Sequence, residues 1–144
     1  MTCNAIVAQY GPLAGRVLLV LIFLISAYGI LTNFSGTVGF YASVGIPFAT
    51  AVAALVLIVK VVGSLMVATG IHARIGALAL IAFVILATLI AHIGEGQLMN
   101  ALKNIAIIGG LLLIVVHGAG PLTLSKSALR STNKQEAVTG GVSE

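Results

Sequence analysis

Aspartate and tryptophan are absent from this 144-residue chain, and glutamate, cysteine and proline each occur three times or fewer. The only side-chain carboxylates are Glu95, Glu136 and Glu144, and none of them falls within a long apolar run. A single cysteine, Cys3, excludes an intrachain disulfide and leaves the redox compartment unread. No small-residue cleavage pattern precedes it, so Cys3 reads as an ordinary thiol rather than a lipid attachment site. Without tryptophan, any aromatic belt at a membrane surface must come from Tyr10, Tyr28, Tyr41, Phe34, Phe40 and Phe48. Charged residues make up 7% of the chain, whereas a soluble domain needs about a quarter to cover its surface. With 60% hydrophobic residues and a mean hydropathy of +1.21, the outer surface has to face lipid.

What is present is a series of apolar runs punctuated by glycine. The pattern predicts an all-α membrane protein with four spans at about residues 13–32, 47–69, 74–93 and 98–117. Residues 1–12 form an N-terminal cytoplasmic segment, residues 13–121 the transmembrane domain, and residues 122–144 a polar cytoplasmic tail, loosely held or docked on a partner. The first apolar run is as long as a span, so a cleavable signal peptide is not expected. Between the first two spans, residues 37–44 are suited to a short helix lying in the interface, and Pro47 suits the first turn of the second span. Inside hydrocarbon every backbone polar group needs an internal partner, which such runs obtain only as helices. Short connections favour an up-down-up-down bundle. Gly29, Ala54, Gly63, Ala77, Ala82, Ala87, Ala106, Gly109 and Gly110 are the small residues available for close helix packing.

The net charge of +4 is not a nucleic-acid signal, because its distribution follows topology. Arg16, Arg74, Lys126, Arg130 and Lys134 fall at one end of a four-span bundle and Lys103 alone at the other, which predicts that both termini are cytoplasmic.

Lys60 is the most unusual residue. It lies in the middle of the second span, roughly 20 Å from its start at ~1.5 Å per residue. A lysine at that depth costs about 2.5–3.5 kcal/mol to insert. It must snorkel toward the cytoplasmic headgroups, become neutral, or meet an acid or carbonyl from another subunit, a lipid or a quinone. The three histidines do not make a haem site: His92 and His117 fall at opposite ends of their spans, separated by roughly the ~30 Å hydrocarbon thickness. His72, near the level of His117, reads as an interfacial residue. His92, Glu95, Lys103 and Asn104 gather at the outer mouth, where helix capping and interfacial anchoring account for them. The Asn33-Phe34-Ser35 sequon is weak evidence, and no phosphate loop, metal-spaced Cys/His cluster or nucleophile elbow occurs.

The order of several motifs is distinctive. Gly15-Arg16-Val17-Leu18-Leu19 leads into Ile22-Phe23-Leu24-Ile25-Ser26, followed by Leu31-Thr32-Asn33-Phe34-Ser35-Gly36 and Gly45-Ile46-Pro47. Gly70-Ile71-His72-Ala73-Arg74, Ala87-Thr88-Leu89-Ile90-Ala91-His92 and Lys103-Asn104-Ile105-Ala106-Ile107-Ile108-Gly109-Gly110-Leu111-Leu112 complete the set. Over roughly residues 13–125 the chain resembles the DoxX family of small prokaryotic four-span membrane proteins. Two departures stand out: Ile30 replaces a lysine usual in the first span, and Lys60 replaces a glutamate usual in the second. Where relatives carry an intramembrane acid–base pair, a lone base remains. The resemblance implies a prokaryotic inner-membrane location and links to quinone-dependent enzymes, such as thiosulfate:quinone oxidoreductase and a terminal quinol oxidase, or to thiol and superoxide defence.

These readings favour an accessory, non-catalytic subunit of a respiratory or quinone-linked redox complex. Its partners are membrane lipid and other subunits or copies of itself; it has no intrinsic cofactor, and a quinone or lipid meets its helix surface. A quinone-linked oxidoreductase subunit acting itself is the alternative. A small transporter or lipid-binding protein ranks last, because beyond Lys60 the spans offer only Ser26, Tyr28, Ser64 and Thr88 as isolated polar groups. Lys60, His92, Lys103, Asn104 and Tyr28 are the candidate functional residues. The predicted orientation is checked by C-terminal fusions: green fluorescent protein after Glu144 should fluoresce and alkaline phosphatase there should stay inactive, and the reverse pattern would refute a cytoplasmic C-terminus.

Overall fold

The computed structural model describes residues 3–91, 98–120 and 122–123. Five helices follow one another: α1 (Cys3–Thr32), α2 (Phe34–Ser43), α3 (Ala49–Thr69), α4 (Ala73–Ala91) and α5 (Leu98–His117). Four are long and apolar enough to cross a bilayer, over Val7–Thr32, Ala49–Thr69, Ala73–Ile90 and Leu98–His117. They form the expected up-down-up-down bundle. The first helix starts well before residue 13, because Pro12 is accommodated inside α1 rather than ending it. His92 and Glu95 lie outside the described residues, as do Lys126, Arg130 and Lys134.

The short helix between the first two spans is α2, beginning earlier than the sequence pattern indicates. Asn33 sets its start by accepting the Gly36 N–H on Oδ1 at 3.1 Å. Phe34, Thr37, Val38 and Tyr41 form its half-buried face, the spacing expected of one side of a helix. Gly45, at φ +79°, ends it. Pro47 falls in the following turn rather than in α3, since Phe48 adopts a left-handed φ of 54° and helical geometry begins only at Ala49.

The core comprises Val20, Phe23, Val67, Ala73, Ala77, Leu80, Ile81, Val84, Leu111 and Ile114. Half of these belong to α4, which packs between α3 and α5. Helices α3 and α4 approach so closely that a Cβ on Gly76 would lie 2.8 Å from the Gly63 carbonyl oxygen. Ala77 and Gly110 are likewise packed inside, but Gly29 and Gly109 have open space, and Ala54, Ala82 and Ala106 face outward. These helices are apolar all round, so composition could not tell the packed small residues from the lipid-facing ones.

Arg16, counted above as a topology charge, is buried with 1% exposure. Its guanidinium donates to the carbonyls of Pro12 (3.3 Å), Val67 (3.4 Å) and Leu122. It therefore satisfies a carbonyl at the C-terminal, negative end of α3 and ties the chain after α5 beneath the bundle. Gly70 suits this junction twice over: its φ is +79°, and a Cβ there would lie 2.6 Å from Arg16 Nη1. The start of the tail is thus docked, with Thr123 buried. Among the described residues Arg74 is the exposed arginine at this end, one Nη reaching the Val116 carbonyl at 3.5 Å.

Gly76→Ala should lower stability by roughly 1–3 kcal/mol, because backbone must move to admit the methyl group. Gly109→Ala, where a Cβ meets nothing, should be neutral or slightly stabilising. Unfolding of both variants in mild detergent checks the pair; equal stability would remove the close α3–α4 crossing.

Candidate functional site

Lys60 does not snorkel. Its ammonium stays inside the bundle, at 6% residue exposure, and donates to Ser26 Oγ at 2.7 Å. It also lies over the Phe83 ring, 4.7 Å from the centroid. A charge-assisted hydrogen bond contributes about 1.5–3 kcal/mol, and a desolvated cation over a ring about 2 kcal/mol. Together these are comparable with the cost of about 2.5–3.5 kcal/mol for placing a lysine at mid-membrane. Helices α1, α3 and α4 therefore supply from within the chain what the sequence leaves to an outside partner.

Antiparallel register explains the meeting. Ser26 follows Arg16 by ten residues along α1, and Lys60 precedes Gly70 by ten along α3. Both therefore stand about 15 Å above the arginine end at ~1.5 Å per residue. The same arithmetic pairs α4 with α5: Thr88 is fourteen residues past Arg74 and Asn104 fourteen before Gly118. Asn104 Nδ2 donates to Thr88 Oγ1 at 2.8 Å, and the Thr88 hydroxyl donates onward to the Val84 carbonyl at 2.7 Å. Asn104 is thus a buried inter-helix bridge, not a cap. It sits two turns into α5, past the first-turn N–H groups that need outside partners.

Lys60, Ser26 and Asn104 border one cavity of about 570 Å³ lined by all five helices. Lys60 and Ser26 lie in its wall, with Ile22 and Phe23 lining it about one turn nearer the arginine end and Val52, Val56 and Ile107 contributing further apolar wall. Toward the α2 end, Tyr41, Asn100 and Lys103 form a polar rim, with Lys103 Nζ 3.3 Å from Asn100 Oδ1. Burial raises the Tyr41 hydroxyl above its ordinary pKa of 10.0, so the phenol is a neutral hydrogen-bonding group at physiological pH. Leu19 packs on Gly110 where α1 meets α5; nearer the α2 end, Ile22 and Ile107 border the cavity instead. On the arginine side of Lys60 lies the close-packed core, with Val67, Leu80 and Leu111 fully buried, so the cavity is a dead end.

Of the candidate residues, the structure brings together Lys60, Lys103 and Asn104. Tyr28 is 67% exposed on the outer face of α1, because two residues beyond Ser26 a helix has turned about 200° away. Ser26, Phe83, Tyr41 and Asn100 complete the site, and sequence reading gave none of them a role there. Matching depth in neighbouring antiparallel spans was the available signal for Ser26. Ser26 and Thr88 are not isolated, as they look in the sequence: each is hydrogen-bonded to a polar side chain on a neighbouring span. His117 lies apart at the arginine end, its Nδ1 3.2 Å from the Leu113 carbonyl. Among the described residues no cluster of His, Cys, Asp or Glu is arranged to hold a metal.

Comparison with known proteins finds relatives named as inner membrane proteins. A family model described as DoxX matches residues 11–93. Inner membrane protein YphA of Escherichia coli (strain K12) is 28% identical over 122 residues, covering 79% of this chain and 87% of that protein. Inner membrane protein YqjF of the same organism is 28% identical over 119 residues, covering 81% and 90%. No solved structure matches the chain.

If the Asn104–Thr88 bridge couples α4 to α5, a double-mutant cycle of Asn104→Leu and Thr88→Val should give an interaction energy near 0.6 kcal/mol, at most about 1.7 kcal/mol. Detergent unfolding of the four proteins measures it, and strict additivity would dissolve the bridge.

Proposed function

The chain belongs to the DoxX family of multi-pass inner-membrane proteins, and from that premise we propose that it is a non-catalytic, ligand-holding subunit of a quinone-linked redox complex. The observation that carries this reading is Lys60, held inside the bundle in the wall of a cavity built by all four spans. Such a cavity suits a lipid-phase molecule whose polar head accepts hydrogen bonds from the ammonium and whose body meets apolar walls. The subunit contributes a binding place within the hydrocarbon, and electron transfer belongs to its partner. Transport across the bilayer is disfavoured, because the packed core closes the route beyond Lys60.

Gentle detergent extraction of the tagged chain tests both parts. A quinone-reactive partner is expected to copurify, and the isolated chain should show no turnover of a quinol analogue. Turnover by the chain alone would make it an oxidoreductase in its own right. Because Lys60 is satisfied inside the bundle, Lys60→Met should remain in the complex but lose the amphiphile that mass spectrometry finds with the wild type. Identical bound lipids in the two preparations would remove Lys60 from the site.

A further inference from the structure

The cavity carries charge of one sign with nothing described to balance it. Lys60 stands in its wall and Lys103 at its rim, and there is no aspartate or glutamate among the described residues. A lysine ammonium has three donors and no acceptor. Ser26 is its one hydrogen-bond partner among the described residues, and the Phe83 face covers another side of the head. A neutral acceptor could take a further N–H, but it would leave the net charge uncompensated in a low-dielectric surrounding. An anionic oxygen supplies the hydrogen bond and the opposite charge together, and breaking such a buried pair is costly.

We infer that the cavity binds a single-chain amphiphilic acid, its ionised head on Lys60 and its hydrocarbon chain leaving between α1 and α5 into lipid. This narrows the ligand-holding reading above and rests on it. Size agrees: at about 570 Å³ the cavity lies within the ~300–1,000 Å³ of pockets that enclose drug-sized molecules, which fits one chain rather than a two-chain phospholipid. The placement of polarity agrees as well. Lys60 is enclosed in the bundle, while Ile22 on α1 and Ile107 on α5 both line the cavity and Ile22 is also exposed at the helix surface. Entry is therefore lateral, from the hydrocarbon.

The test uses the purified full chain in phosphatidylcholine nanodiscs with the fluorescent fatty acid cis-parinarate as probe. Oleate should displace the probe about tenfold or more better than oleyl alcohol, which has the same chain and an uncharged head. Lys60→Gln should abolish that preference, and Lys60→Arg should keep it. Hexadecyl phosphate acting as well as oleate would extend the head class from carboxylate to phosphate and support the same anionic site. Equal displacement by oleate and oleyl alcohol would overturn the inference. So would a Lys60→Gln protein that stays helical and monodisperse yet holds oleate as tightly as the wild type. Decylubiquinone displacing the probe better than oleate would overturn the acid while leaving a lipid-phase ligand site. If no amphiphile binds at all, the ligand-holding reading fails with it.

Discussion

A single ammonium group inside hydrocarbon governs how this bundle is organised. No carboxylate lies in any span, so Lys60 cannot be neutralised by a neighbour on the same chain's helices. The fold instead surrounds it with a hydroxyl from α1 and an aromatic face from α4. Both contacts require α3 to be flanked by these two helices in a defined register. The same interaction that makes the lysine tolerable thereby fixes the mutual depth of three spans. A lysine free to snorkel would impose no such order.

The two ends of the bundle differ in kind. At the arginine end, Arg16 joins α1 to the end of α3 and to the chain after α5, with Gly70 and Gly120 giving room for close approach. Beneath Lys60 the core is closed by Val67, Leu80 and Leu111. At the α2 end the spans separate around a cavity with a polar rim. Close packing on one side and open volume on the other suit a binding site, in which rigid support holds a charged group in the wall of a blind cavity.

The four spans were legible because hydrocarbon imposes length and composition directly; α5 ends where glycine and proline signals place its end. The start of α1 was not, since a proline that would stop a soluble helix is tolerated within this one. Arg16 has a structural role that its position alone does not show. Counting charges by position says at which end an arginine falls, not that this one is held by carbonyls inside the fold. At the site, Lys60 announced itself as a charge in an apolar run. Ser26, Phe83 and Thr88 did not, because a lone serine, phenylalanine or threonine is ordinary in a span. Only their common depth in antiparallel neighbours reveals the association, and that depth depends on which helices touch.

The position of the Lys60 head is the claim on which the account turns, and NMR of the selectively labelled chain in nanodiscs observes it directly. Through-space cross-peaks should connect the Lys60 side-chain methylene next to Nζ with the Phe83 ring, together with an upfield ring-current shift that disappears in Phe83→Leu. Cross-peaks from that methylene to lipid headgroups, with no contact to the ring, would contradict it.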